Sequence, residues 1–186
     1  MADNYLEFSE VIANLTESEE AWLKEQIQTI HVLGDKEYPE DAMPAELADT
    51  KPAWFGARFL RDNKDYDPQW GDVGFRYEFC DDHSQGGRYV TDSWGRHLWL
   101  LAEEGGNPQH AAWLVRKFLK KFRPDQCWGL TYATTCSKPR VSQFGGGAVF
   151  VTAKTICWQD GGDFIERKWA AFKAKKKTAR RRKDRT

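Results

Sequence analysis

Long apolar runs are missing from this sequence. No window of it approaches the ~20 apolar residues that a membrane-crossing helix needs, which argues against a bilayer-spanning role. A secretory leader is not expected either. The opening residues include Asp3, Glu7 and Glu10, and no apolar stretch follows a basic start. Cysteine is scarce, with Cys80, Cys127, Cys136 and Cys157 widely spaced. In a chain with no sign of secretion this spacing predicts reduced thiols, not a disulfide framework, and so a cytoplasmic protein. Also absent are a CxxC pair, an HExxH helix and a GxxxxGK(S/T) loop. The zinc-ribbon, zincin and P-loop chemistries therefore have no motif to rest on. Neither a metal nor a cofactor is expected.

What the chain does contain is an ordinary globular balance with two departures. Its 186 residues predict one domain with a real core, and 40% hydrophobic with 30% charged residues suits that prediction. The first departure is nine Trp residues, most expected in the core and some at a binding surface, where Trp is enriched. The second is a charge split hidden under a net charge of zero. Residues 167–186 carry eleven Lys/Arg against Asp184 alone, a net +10, so residues 1–166 carry −10. The acid is concentrated early, with 13 Asp/Glu in residues 1–49 against Lys24 and Lys36. Such asymmetry reads as an interaction tail, or as a tail that folds back onto its own acidic body.

Asn4 to Leu15 is a short apolar-containing lead, either a strand or a helical turn. Thr16 and Glu19 form a capping-box pattern that starts a helix expected to run to about His31, with Trp22, Leu23, Ile27 and Ile30 as its stripe. The acidic stretch 35–52 reads as loop with one helical turn at 45–48, and Trp54, Phe55, Phe59 and Leu60 then form an apolar anchor. A strand is predicted from Val73, with Phe75, Tyr77 and Phe79 on one face, and a short one at 88–91. His97 to Ala102 is nearly all apolar and reads as an interior strand. Asn107 and Pro108 open a helix whose apolar face is Ala111, Leu114, Val115, Phe118, Leu119 and Phe122.

Two strands follow, 128–135 and 148–156, joined by a basic, Gly-rich connection. Asp163 and Glu166 then repeat the capping pattern. Ile165, Trp169 and Phe172 are spaced to dock a last helix on the body. The fold class is thus α+β: a mostly antiparallel sheet of about four strands with helices packed on one face, a ββαββα core preceded by an N-terminal helix. Residues 1–172 form the domain, and residues 173–186 are a self-repelling basic tail, disordered in isolation.

Chemistry is sparse. The connection Ser137-Lys138-Pro139-Arg140 with Gly145, Gly146 and Gly147 offers charge and backbone amides to an anion, and equally reads as a structural turn. Cys80, Asp81, Asp82 and His83 are the densest ligand cluster, with Cys136 or His97 as further ligands, against the plainer reading of a solvated loop. Cys136-Ser137 with His97 or His83 has the makings of a nucleophile and base, against a buried strand-end cysteine. Glu103-Glu104 and Asp81-Asp82 are carboxylate pairs at turns, where solvation is the usual explanation. At SKPRVSQFGGGAVFVTA, with the preceding EEGGNPQHAAWLVRKFLKKFRPDQCW, the chain resembles a group of uncharacterised bacterial proteins often encoded on mobile elements. The resemblance spans residues 97–158 and implies no activity.

Two binding roles fit better. Lys175, Lys176, Lys177, Arg180, Arg181, Arg182, Lys183 and Arg185 can bind nucleic acid by releasing counterions from its phosphates, with a merely solubilising terminus as the plain reading. The acidic, Trp-containing N-terminal half suits a protein partner, as in an inhibitor that occupies a basic surface. The expectation is a non-enzymatic binding module. The alternative is a small hydrolase or metal-dependent enzyme with its site near residues 136–147.

Overall fold

The computed structural model describes residues 4–33, 36–39, 54–61, 63–65, 73–80, 95–103, 105–138 and 144–170. Among them runs a six-stranded antiparallel sheet built from β1 (Asn4–Ile12), β5 (Arg76–Cys80), β6 (His97–Ala102), β7 (Cys127–Cys136), β8 (Gly145–Thr152) and β9 (Ile156–Asp160), in the order β5-β6-β1-β7-β8-β9. Three short strands, β2 (Thr29–Leu33), β3 (Lys36–Pro39) and β4 (Trp54–Ala57), form a second sheet in the order β3-β2-β4. The helices are α1 (Glu17–Ile27), α2 (Pro108–Phe122) and α3 (residues 161–170). The architecture is α+β, with two strands more in the main sheet than the four expected. No helix among the described residues is long and apolar enough to cross a membrane.

The largest correction concerns β1. The N-terminal lead is a nine-residue strand near the middle of the sheet, pairing with β7 over Asn4 to Phe8 and with β6 over Phe8 to Ile12. The ββαββα core is therefore not self-sufficient, because β6 and β7 do not pair with each other and β1 lies between them. Phe8 and Ile12 send their side chains to the same core as Leu98, Leu100 and Leu130. Glu10 interrupts the alternation of β1. Its carboxylate, pushed above the usual glutamate range by burial, accepts the Thr131 amide where the β1–β7 register has ended.

α1 also departs from expectation. Its capping box forms as predicted, with the Thr16 amide donating to Glu19 Oε2 at 2.8 Å and the Glu19 amide to Thr16 Oγ1 at 3.3 Å. It stops at Ile27, not near His31, because the partly β-branched run Thr29 to Leu33 pairs with β3 and β4 instead. Ile30 is buried, but from a strand.

α2 matches its sequence signature. Asn107 Oδ1 accepts the Gln109 amide at 3.0 Å, and the predicted face is buried, with Leu114, Val115 and Phe118 at 0% exposure. This face packs on β7 and β8, and α1 lies against its C-terminal half, where Trp22 meets Phe122 edge-on at 5.6 Å. The two helices thus cover one face of the sheet.

The strand expected over 148–156 is in fact a hairpin. Thr152 Oγ1 accepts the amides of Lys154 (3.2 Å) and Thr155 (2.9 Å), making a turn with no Gly or Pro to announce it. The helix after β9 is capped by Asp160, not by Asp163: Asp160 Oδ1 accepts the Gly162 amide at 2.6 Å and the Asp163 amide at 3.3 Å. Nor is its apolar side buried, for Ile165 and Trp169 are 55% and 58% exposed. The helical turn at 45–48, the strand at 88–91 and the tail beyond residue 170 lie outside the described residues.

Arg123, just past α2, ties three elements together. Its Nε and Nη2 reach the two Glu19 carboxylate oxygens at 2.7 and 2.9 Å, while Nη1 and Nη2 donate to the carbonyls of Ala13 (3.0 Å) and Asn14 (2.7 Å). This guanidinium holds the Glu19 carboxyl below the usual glutamate range, assisted by the Thr16 bonds.

Two predictions follow from the packing. Phe118→Ala should cost about 3–5 kcal/mol in denaturant melts, the usual loss for a fully buried Phe; a loss below ~0.5 kcal/mol would refute the packing of α2. The second concerns pH. Glu19 has a depressed value on folding, so its contribution is present above the ordinary 4.5 and disappears as pH falls through the lower folded value. Glu10 has a raised value, so its ionisation costs stability above that raised value, and the cost vanishes below 4.5. Glu19→Gln should therefore be less stable than the parent at pH ~7 and Glu10→Gln more stable, with both gaps closing in melts taken towards pH ~3.

Candidate functional site

The last four elements form one unit. β7 and β8 pair along Cys127 to Thr134, β9 returns along β8, and α3 leaves from the end of β9. The glycines expected ahead of the strand lie inside it, with Gly145, Gly146 and Gly147 opposite Thr134, Ala133 and Tyr132. They make room. Gly146 has φ +150, and a Cβ there would strike the Tyr132 carbonyl; one on Gly147 would stand 2.6 Å from both the Gln159 carbonyl and the Tyr132 hydroxyl. The clearance lets the Tyr132 ring lie across Gly147, edge-on to Trp158 at 6.5 Å. Its hydroxyl donates to the Asp160 carboxylate. Burial first, and then the negative charge of Asp160, push the phenol above its usual range.

Asp160 thus faces two ways. It accepts from Tyr132 on the sheet and from the first free amides of α3, so the helix is fastened at its N-terminus. Beyond that point α3 is exposed along its length. Phe164 (48%), Ile165 and Trp169 share one side with Lys168, bordering a shallow depression of about 420 Å³. The Lys168 ammonium stands 5.2 Å from the centre of the Phe164 ring. Arg167 is held upright by Gln159 Oε1 at 2.5 Å and the Asp163 carbonyl at 3.3 Å. Aromatic rings, two cations and the start of the basic run therefore fall within one short exposed segment.

Among the described residues, those singled out from sequence do not gather into one place. Cys136 is buried opposite Asn4 at one end of β1, whereas His97 is buried one position past the Ile12–Leu98 pair at the other. Nine residues of strand separate them, ~30 Å at the usual rise. His97 Nδ1 bonds the Gly95 carbonyl at 2.8 Å. Cys80 does meet His97, as its direct cross-strand partner. No group of three His, Cys, Asp or Glu suited to a metal occurs among the described residues, and Asp81, Asp82 and His83 lie outside them. Lys138 is exposed just past β7, while Arg140 lies outside the described residues. So do Glu104 and the eight tail residues Lys175, Lys176, Lys177, Arg180, Arg181, Arg182, Lys183 and Arg185. Glu103 pairs with Arg76 at 2.8 Å. None of the four cysteines is in a disulfide.

The acidic N-terminal half is partly spent on internal pairs. Glu19 meets Arg123, Glu20 meets Lys24 and Arg96, Glu25 meets Arg58, and Glu37 meets Arg61. A second depression, about 850 Å³, opens on the sheet face opposite the helices, lined by Glu7, Ser9, Trp99 and Thr131 among others. Trp99 Nε1 there donates to Ser9 Oγ at 2.8 Å. Tyr132 and Asp160 were not singled out from sequence. The only signal for Asp160 is the order Asp-Gly-Gly ahead of an apolar pair, an N-cap pattern.

If Asp160 fastens α3, Asp160→Ala should speed amide exchange across residues 161–170 by roughly fivefold to thirtyfold, the effect of losing a ~1–2 kcal/mol cap. Exchange in α2 should not change. Tyr132→Phe should give a smaller effect of the same kind, and unaltered exchange in both variants would refute the brace. Comparison with protein-family models, with curated proteins and with solved structures finds no match to the chain.

Proposed function

We propose that this chain is a non-enzymatic, cytoplasmic binding module that holds nucleic acid through a C-terminal arm made of α3 and the basic residues after it. The observation that carries the reading is the net +10 of residues 167–186, which begins on a helix standing exposed from its first turn. Cations on an exposed segment replace the counterions condensed on a phosphate backbone, and this release drives binding without reading sequence. Lys175, Lys176, Lys177, Arg180, Arg181, Arg182, Lys183 and Arg185 supply most of the charge, and Arg167 and Lys168 extend it onto α3.

A protein partner for the acidic half draws less support, since four of its glutamates already face a cation of the same chain. The hydrolase or metal-dependent alternative near residues 136–147 draws little, given the distance between Cys136 and His97 and the packing role of the glycines.

Truncation after Lys173 tests the proposal. The full chain should bind two unrelated duplexes with similar affinity in fluorescence anisotropy, and that affinity should drop by at least ~10³ between ~50 and ~200 mM salt. The truncated chain should lose most of the binding and keep its melting temperature. Equal binding by both chains would sink the proposal, as would no binding by either at low salt. A salt-sensitive fall in melting temperature would show instead that the tail neutralises its own acidic body.

A further inference from the structure

We infer that α3 directs the arm to single-stranded nucleic acid, with Phe164 and Trp169 as stacking platforms for unpaired bases. The inference rests on the nucleic-acid reading of the arm and adds to it the class of strand. Charge alone does not make this choice; a duplex carries the denser phosphate charge and would be preferred by a purely cationic tail. Aromatic faces reverse the preference, because only an unpaired base presents a free face to a ring.

Three observations point to bases. Phe164, Ile165 and Trp169 are about half exposed on one side of a helix whose N-terminus is fastened to the sheet, so folding has left rings at the surface instead of burying them. Lys168 sits within that side, not opposite it: at about 100° per residue it falls between Phe164 and Ile165 around the helix axis. An ammonium between apolar side chains suits alternating bases and phosphates. On a helix lying in a lipid surface it would enter the acyl boundary, where the cations are normally kept to the polar face. Finally, Arg167 stands about 60° around the axis from Phe164 and is braced by Gln159 and Asp163, which holds a second cation next to that ring's side of the helix.

The test compares the full-length protein on four probes at one ionic strength: an oligothymidylate, a duplex with the same number of phosphates, an abasic strand of the same length, and phosphatidylserine vesicles. The oligothymidylate should bind roughly tenfold to a hundredfold tighter than the abasic strand, the range that stacking of one or two bases provides. It should also bind tighter than the duplex. Phe164→Ala/Trp169→Ala should erase the preference over the abasic strand, and Phe164→Tyr/Trp169→Phe should retain it. Helicity measured by circular dichroism checks that the double-alanine chain keeps its fold. Equal binding of oligothymidylate and abasic strand by the parent would overturn the inference while leaving the cationic arm intact. No binding to any nucleic acid would overturn both readings. Vesicle binding lost in the alanine variant, with no change on oligothymidylate, would assign the face to a membrane surface and overturn the inference as well.

Discussion

The fold hangs on one guanidinium. Arg123 lies where three elements end or begin: the close of β1, the N-terminus of α1 and the C-terminus of α2. Four hydrogen bonds from it reach Glu19 and the carbonyls of Ala13 and Asn14. Asn14 takes φ 54 to turn the chain out of the sheet, and its carbonyl is one that Arg123 holds. Glu19 is also the third residue of the capping box, so the carboxylate that closes α1 is the one that docks α1 on α2. A shielded pair of this kind gains little net energy over an apolar replacement, since both charges are desolvated. Its worth is geometric. Four of the five N–H donors of the fork have a fixed acceptor, which ties the end of β1 and the start of α1 to the end of α2. Phe118 beneath the guanidinium and Trp22 beside Phe122 then pack at the position this contact allows.

The other end of the molecule is built by removing side chains instead of adding bonds. Gly146 and Gly147 leave space for Tyr132, Tyr132 reaches Asp160, and Asp160 starts α3. The brace acts only at the first turn of that helix. A segment fastened at one end and exposed along its length belongs to the low-stability part of a native structure. The sheet body and α3 are therefore expected to be energetically separate, and a change in one to leave the other largely intact. Under the proposed reading, that separation suits a segment that meets a long, irregular polyanion.

How much of this was legible in the sequence depended on whether the signal was local. Asn107-Pro108 and the stripe to Phe122 defined α2, Thr16 and Glu19 defined the start of α1, and the apolar run His97 to Ala102 defined β6. β1 was ambiguous because Glu7, Ser9 and Glu10 stand among its apolar residues, and only the neighbouring β6 and β7 make it a strand. The end of α1 and the turn at Thr152 were misread for one reason. A continuing apolar pattern looks the same whether the backbone carries on or turns back. Arg123 could not be read at all, since its partner lies 104 residues away and each is an ordinary charged residue alone. At the arm, charge was plain from composition. The exposure of Phe164, Ile165 and Trp169 was not, because a stripe that docks on the body and one that faces outward are spelled alike.

The charge split constrains what the arm can do. Four glutamates of the first half face cations of their own chain, yet residues 1–166 keep a net −10. An acidic body repels the same polyanion that a basic arm attracts, and it competes for the arm from within tether range. Both effects are electrostatic and fade together as salt rises. Contacts between bases and rings are not screened in this way. Under the proposed reading, Phe164 and Trp169 therefore matter most where the charge term is weakest, and the body's acidity sharpens the choice of strand by lowering the return from phosphate contacts alone. Under the proposed reading the body is not a passive carrier: its negative charge lowers the gain from phosphate contacts, and a strand of unpaired bases keeps an advantage over a bare run of phosphates.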